Sequence, residues 1–318
     1  MSESTPHADE TKPALPLGAA VEVEGRAIEP DAIVGGLPVS ERKQARRENW
    51  RLIRRRPSFI IGVFIVTVWG VCALLGERIT PHHPLDYRST PHLSPRGSFP
   101  FGTDATGRDV LSRVMAGARD VLKIAPLAAI LGVLLGVIIG MLMGYIGGWF
   151  DLGMSRIVEA FLALPVVLIA LLAITTLGSS DWVVIGVVAV LFTPVVARTV
   201  RSAVLSERSL DYVTSANLRG ENRAFIMFRE ILPNVMGPII VELTVRVGYA
   251  VFTVATLSFL GAGPPPPSPD WGAQVSDGYR VLGAGIWWTT FFPAAAIASL
   301  VIAVNLIADS VQSVLEAS

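Results

Sequence analysis

"DYVTSANLRGENRAFIMFREILPN", Asp211–Asn234, is a charged, helix-forming stretch set between long apolar ones. It reads as two short helices with a sharp turn between them. Ser209 or Asp211 can cap the first, which runs to about Arg219, and Gly220 supplies the left-handed residue that ends it. Glu221 or Asn222 can start the second, from Arg223 to Leu232, with Phe225, Phe228 and Leu232 on one face. Pro233 then sets a new chain direction at the entrance to the next apolar stretch. The stretch holds no His, no Cys and no Ser beside a base, so it lacks the parts of an active site. A rigid protrusion of this kind suits docking into another protein's groove.

The surroundings of this stretch set the class of the molecule. The chain is 52% hydrophobic and only 16% charged, with mean hydropathy +0.55, far more apolar than one soluble core requires. The excess falls in blocks long enough to cross a bilayer, which takes about 20 apolar residues. These are Ser58–Gly76, Leu122–Tyr145, Met154–Leu177, Trp182–Val200, Met236–Leu260 and Ile286–Leu306. An all-α membrane protein with six transmembrane helices is therefore expected. In the second block Gly132, Gly136, Gly140 and Gly144 form one helix stripe, which lets a neighbouring helix approach closely. Pro165, Pro194 and Pro293 lie in or near the blocks, where prolines often mark kinks.

Orientation is read from charge. Residues 1–40 are rich in Glu, Pro, Ala and Gly and are expected to be a disordered tail. Residues 41–57 follow as a basic juxtamembrane segment that includes Arg42, Lys43, Arg46, Arg47, Arg51, Arg54, Arg55 and Arg56. Nucleic-acid binding is one reading of such a run. A positive-inside signal with Trp50 at the interface accounts for its place directly before an apolar block, and no nucleic-acid partner is expected. Both termini are then cytosolic, residues 77–120, 178–181 and 261–285 face outward, and the knuckle over 205–235 lies inside. Cys72 is alone within an apolar block and reads as packing, and the four His show no metal-ligand spacing.

Two outer segments carry further pattern. In "FGTDATGRDVLSRVMAGAR", Asp104 is a candidate helix cap, and Val110, Leu111, Val114, Met115 and Ala118 fall on one face. An amphipathic helix lying on the membrane or on a partner subunit is expected there. "GAGPPPPSPDWG" is turn-rich and stiffened by proline up to Trp271.

The Asp211–Asn234 stretch resembles the cytosolic "EAA" loop of bacterial ABC importer permeases: Glu-Ala-Ala, three residues, Gly, nine residues, Ile, one residue, Leu-Pro. Gly220, Leu232 and Pro233 match at the right distances. Thr214, Ser215 and Ala216 stand at the triplet, where only Ala216 fits, and Glu230 stands where Ile is expected. The Gly-Thr-Asp-x-x-Gly-Arg-Asp segment, the Leu-Ser-Phe-Leu-Gly segment running to Pro-x-Trp-Gly, "REILPN" and "NLIADSVQSVL" resemble the dipeptide/oligopeptide permease group, and within it the C-type subunit. The resemblance covers roughly residues 45–315.

It implies a type I importer permease fold and a transport subunit, not an enzyme, moving di- or oligopeptides, with nickel or another small solute as the alternative cargo. It also implies a second homologous permease as heterodimer partner, two cytosolic ATPase subunits and an extracytoplasmic peptide-binding protein. The knuckle would be the coupling loop, with Asp211, Tyr212, Thr214, Ser215, Ala216, Gly220, Leu232, Pro233 and Asn234 as its site residues. The chain has no Gly-x-x-x-x-Gly-Lys-Ser/Thr phosphate loop, so no cofactor is expected on it, and ATP and Mg belong to the partner subunits.

Polar groups within the blocks are the candidates for a translocation path. Glu242 and Arg246 stand four apart and can pair, and Asn305 shares a face with Asp309. A stand-alone secondary transporter would predict inverted repeats and midplane charges, and no clear repeat is present. A membrane-embedded enzyme would need a nucleophile and base or a metal set within the blocks, yet all four His lie outside them.

Overall fold

The computed structural model describes residues 56–87 and 89–315, together with two antiparallel strand pairs, Val21–Val23 with Arg26–Ile28 and Ile33–Val34 with Leu37–Pro38. Apart from those strands, the expected tail over 1–40 lies outside the described residues, as does the basic run before Arg56. The unit over 53–317 is helical through its described elements. Its long helices are α1 (Pro57–Leu75), α2 (Val110–Ile146), α5 (Asp181–Arg208), α8 (Met236–Leu257) and α10 (Trp288–Leu315). Between them come α3 (Gly148–Ala163), α4 (Val166–Leu177), α6 (Asp211–Leu218), a helical segment α7 over 223–234, and α9 (Trp271–Tyr279).

Five helices are long and apolar enough to cross a membrane, and α3 with α4 make a sixth crossing if that bent pair is one span. The outward faces agree with this reading: Phe64, Leu74, Leu172 and Trp182 are large, apolar and exposed. In water such a surface would drive association; in lipid it is solvated.

The bundle is built on the α2–α5 pair, its most extensive helix–helix contact. The glycine stripe explains this closeness. A Cβ on Gly132 would lie 2.9 Å from the Ala189 carbonyl oxygen, one on Gly136 2.5 Å from Val196 Cβ, one on Gly140 2.6 Å from the Ala197 carbonyl oxygen, and one on Gly144 2.7 Å from Val204 Cβ. Hydrogen at these positions lets the two backbones meet, which replaces the hydrophobic drive that lipid cannot supply.

Three features differ from the sequence reading. The amphipathic segment after residue 108 is no separate helix: it continues through Pro126 into the second apolar block as the single α2. Its N-cap is Asp109, which accepts from the Ser112 N–H, while Asp104 sits five residues earlier in a turn. The third apolar block is broken at Pro165, with α3 and α4 meeting at 88°. A proline ring cannot continue the helix behind it, and the residue before it is pushed to extended geometry, as at Leu164 (ψ 144°).

The apolar face of the first turns of α2 is covered from within the chain. Trp271 is fully buried, donates its indole N–H to the Val114 carbonyl at 2.7 Å and packs edge-on against Trp69 at 4.8 Å. The buried Arg113 reaches the carbonyl of Ser268 at 3.1 Å. The two motifs read as outer segments, more than a hundred residues apart in the chain, are thus halves of one joint. Asp104 organises its rim, accepting from the Thr106 and Arg108 N–H groups at 2.8 and 3.0 Å and from Arg108 Nε at 2.8 Å. Burial pulls that carboxyl upward. These donors, the Thr106 hydroxyl and the Arg108 charge outweigh it and hold the group below its usual range.

Candidate functional site

The knuckle follows directly on α5. Its first helix, α6, has Leu210 as N-cap without a side-chain bond, so neither Ser209 nor Asp211 caps it; Asp211 instead sits in the first turn, where its charge favours the helix dipole. The helix ends as the sequence suggests. Gly220 has φ +75°, its N–H donates to the Asn217 carbonyl at 3.0 Å, and the Glu221 N–H reaches back to the Ala216 carbonyl at 3.2 Å. These are the two bonds of a Schellman ending, which requires a left-handed residue at the position of Gly220.

The second half of the knuckle departs from the expected regular helix. Asn222 caps it, its side chain accepting from the Ala224 N–H at 3.1 Å. The backbone then widens into a π-turn over Ile226–Ile231 before the last helical turn, Leu232–Asn234. One extra residue per turn rotates the following side chains. The buried face is therefore Ile226, Met227 and Ile231, and the exposed Phe228 is not part of it.

Buried residues lock the knuckle onto the bundle. Val213 and Ala216 of α6 join Ile226 and Ile231 of α7 in one apolar cluster with Tyr145 of α2 and Val204 of α5. Tyr212 donates its hydroxyl to Glu207 at 2.6 Å. Burial and that carboxylate push its phenol up to about 12. Opposite this anchored side, Asp211, Thr214, Ser215 and Leu218 are exposed. Leu218, at 85% exposure, is an apolar tip that the sequence reading passed over. Its signal was available: it stands four residues after Thr214 and away from the Val213–Ala216 face. Leu232 is half-buried, while Pro233 and Asn234 lie exposed at the far end of α7, where Asn234 donates to the Glu230 carbonyl at 2.9 Å.

A second polar region lies deeper in the bundle. Glu242 of α8 accepts from Arg246 Nε at 2.9 Å and from Thr199 Oγ1 of α5 at 2.8 Å. The guanidinium of Arg246 also sits over the rings of Phe192 and Tyr249, at 5.8 and 5.2 Å. Asn305 is elsewhere. It approaches Gly248, where an added Cβ would meet its Oδ1 at 2.8 Å, and Gly248 lies about 200° around α8 from Arg246. Beside the ion pair, Arg198, Ser202 and Ser206 recur every four residues along α5 and line an open groove of about 570 Å³ with Thr199 and Pro238. This stripe was missed because each residue alone looks like a tolerated polar group; its spacing was the signal. Among the described residues, no three His, Cys, Asp or Glu side chains converge on a metal-sized site.

Residues 136–318, which hold the knuckle and the polar groove, match the family described as binding-protein-dependent transport system inner membrane component. The dipeptide transport system permease protein DppC of Bacillus subtilis is 35% identical over 271 residues, covering 85% of each chain. DppC of Alkalihalophilus pseudofirmus is 32% identical, over 85% of this chain and 89% of that relative. The glutathione transport system permease protein GsiD of Shigella flexneri is 36% identical over 292 residues, 90% of this chain and 95% of the relative. A multi-pass bundle with a rigid helical knuckle at one end, alike to these proteins over nearly its whole length, belongs to the binding-protein-dependent transport system inner membrane components, as a permease subunit of an ABC importer of the peptide family.

Proposed function

We propose that this chain forms one half of the translocation path for di- or oligopeptides, and that its knuckle is the coupling element on which a cytosolic ATPase docks. The observation that carries the reading is the α6 turn: a helix locked from beneath by Val213 and Ala216, closed by Gly220, and presenting Thr214, Ser215 and Leu218 outward. Val213 and Ala216 pack in one apolar cluster with Val204 of α5 and Ile239 of α8, which gives a displacement applied at Leu218 a packed route into both helices. The basic residues before α1 support an orientation with that end and both termini in the cytosol. ATP and Mg stay on the two ATPase subunits. A second, homologous permease completes the path, and an extracytoplasmic binding protein delivers the cargo.

The groove along Arg198, Ser202 and Ser206, with the Glu242–Arg246 pair at its side, supplies the polar wall such a path needs. Arg198 is about 24 Å along α5 from the exposed Trp182, a depth still within a hydrocarbon core of about 30 Å, where a lipid-facing charge is costly. Facing water and the second permease removes that cost. The names of the relatives, dipeptide and glutathione transport permeases, support short peptides as cargo.

Site-directed crosslinking tests the docking reading. Cysteines placed at Thr214 and Leu218, with Cys72 replaced, are expected to trap an ATPase subunit in membranes holding the whole importer. Failure of both to do so, with the importer assembled, overturns it. Cargo is tested separately by uptake in cells lacking this subunit, scanned over di- to pentapeptides and nickel chelates; peptide uptake that returns on complementation supports the peptide reading, and nickel uptake alone overturns it.

A further inference from the structure

A polar pocket flanks the knuckle, and none of the exposed residues Thr214, Ser215 and Leu218 lines it. It has a volume of about 170 Å³ and is lined by Tyr145 and Ile146 at the end of α2, Arg208 at the end of α5, and Asn217 and Arg223 on either side of the Gly220 turn. Its two guanidinium groups are the chemical puzzle. Arg208 is exposed, donates to the Gly144 carbonyl at 3.4 Å and lies over the Tyr145 ring at 6.0 Å, which leaves most of its five N–H groups without a partner among the described residues. Among the described residues neither Arg208 nor Arg223 has a carboxylate partner. The nearby acids are engaged elsewhere: Glu207 accepts from Tyr212, while Glu221 and Glu230 face Arg219. The geometry is built for closeness too, since a Cβ on Gly147 would lie 2.9 Å from Arg208 Nη1.

The level of the pocket in the bilayer follows from helix length. Arg208 is about 39 Å along α5 from Trp182, so with Trp182 at one interface it passes a core of about 30 Å and reaches the opposite headgroup layer. Ile146, exposed itself, lines the pocket, and Trp149, three residues on in the chain, is 89% exposed. Two exposed arginines without a carboxylate partner among the described residues, with exposed apolar side chains nearby in the chain at headgroup depth, match a phosphodiester that arrives with acyl chains attached.

We propose that this pocket is a binding site for the phosphate headgroup of an anionic phospholipid, which braces the α2–α3 elbow against the coupling turn. The site is independent of which cargo the importer carries.

The test uses the intact importer complex. Wild type and R208Q/R223Q are purified from the same membranes and their retained phospholipids are quantified by mass spectrometry. Binding is then compared in nanodiscs of phosphatidylcholine with and without phosphatidylglycerol. Loss of both charges is expected to weaken phosphatidylglycerol binding about thirtyfold, while R208K/R223K keeps most of it. Equal retention by R208Q/R223Q overturns the proposal. So does unchanged retention accompanied by loss of the ATPase subunits, which assigns these arginines to a protein partner. Inorganic phosphate added to the phosphatidylglycerol-containing nanodiscs is the control for source: displacement of the lipid only at high excess supports the lipid, and displacement at matched concentration overturns it. Should R208Q/R223Q fail to accumulate, R223Q alone serves, because Arg223 is exposed and makes no ion pair among the described residues.

Discussion

Two single residues concentrate the demands on this chain. Gly220 occupies φ +75° with nothing within 4 Å of where its Cβ would stand, so a substitution there is opposed by backbone strain alone and not by crowding. Gly220→Val is expected to destabilise the α6 ending by about 1–2 kcal/mol and to lower uptake while the protein still reaches the membrane at near-normal levels. Uptake per unit of membrane protein, measured with ATPase co-purification, checks this; normal uptake removes the turn from the mechanism. Asp104 makes the other demand. Its folded carboxyl is held below the ordinary range, so it binds fewer protons in the folded than in the unfolded state near acid pH. The stability it adds is present above the unfolded value of about 3.9 and is lost as pH falls through the lower folded value. Thermal midpoints of wild type and Asp104→Asn are thus expected to differ at neutral pH and to converge as the pH drops through that window.

At the scale of elements, the glycine stripe separates close approach from mere flexibility. Gly140→Ala places a methyl 2.6 Å from the Ala197 carbonyl oxygen, and a backbone atom cannot swing aside. Gly186, on the facing helix α5, has nothing within 4 Å and an ordinary helical backbone. The first substitution is expected to destabilise by about 1–3 kcal/mol and the second to be neutral or mildly stabilising. Thermal unfolding midpoints in a single detergent compare them. The same stripe shows what could be read in advance. Regular elements whose period matches their burial, such as the glycines of α2 and the Gly220 ending, were legible from spacing alone. The face of α7 was not: a π-turn breaks the 3.6-residue count, so the apolar positions Phe225, Phe228 and Leu232 pointed to a face that the backbone does not present. Nor was the joint between Val114 and Trp271 legible, because it depends on a pairing across the chain that no local period encodes. Trp271→Ala empties a fully buried site and is expected to destabilise by about 3–5 kcal/mol, read as a lowered midpoint.

For the whole molecule, the question is whether the Glu242–Arg246 pair holds helices together or meets cargo. Both side chains are only 14% exposed, and both are bonded within the subunit, Glu242 to α5 through Thr199 and Arg246 to the rings of Phe192 and Tyr249. A charge pair in such a place is costly to break from one side. Removing one partner leaves the other unneutralised in low dielectric, whereas replacing both by apolar groups of similar volume can be nearly neutral. Glu242→Gln is therefore expected to destabilise by a few kcal/mol, and the double variant E242L/R246M to recover much of that loss. Uptake then separates the roles. If the pair only ties α8 to α5, the double variant regains transport together with stability. If the pair lines the path, the double variant is stable and assembled yet transports poorly, because an apolar wall replaces the polar one. The neighbouring Arg198→Gln provides the contrast, since Arg198 is exposed, lines the groove and makes no ion pair among the described residues. Transport should fall there with the thermal midpoint unchanged, and a change in the midpoint without a change in uptake would move the path away from α5.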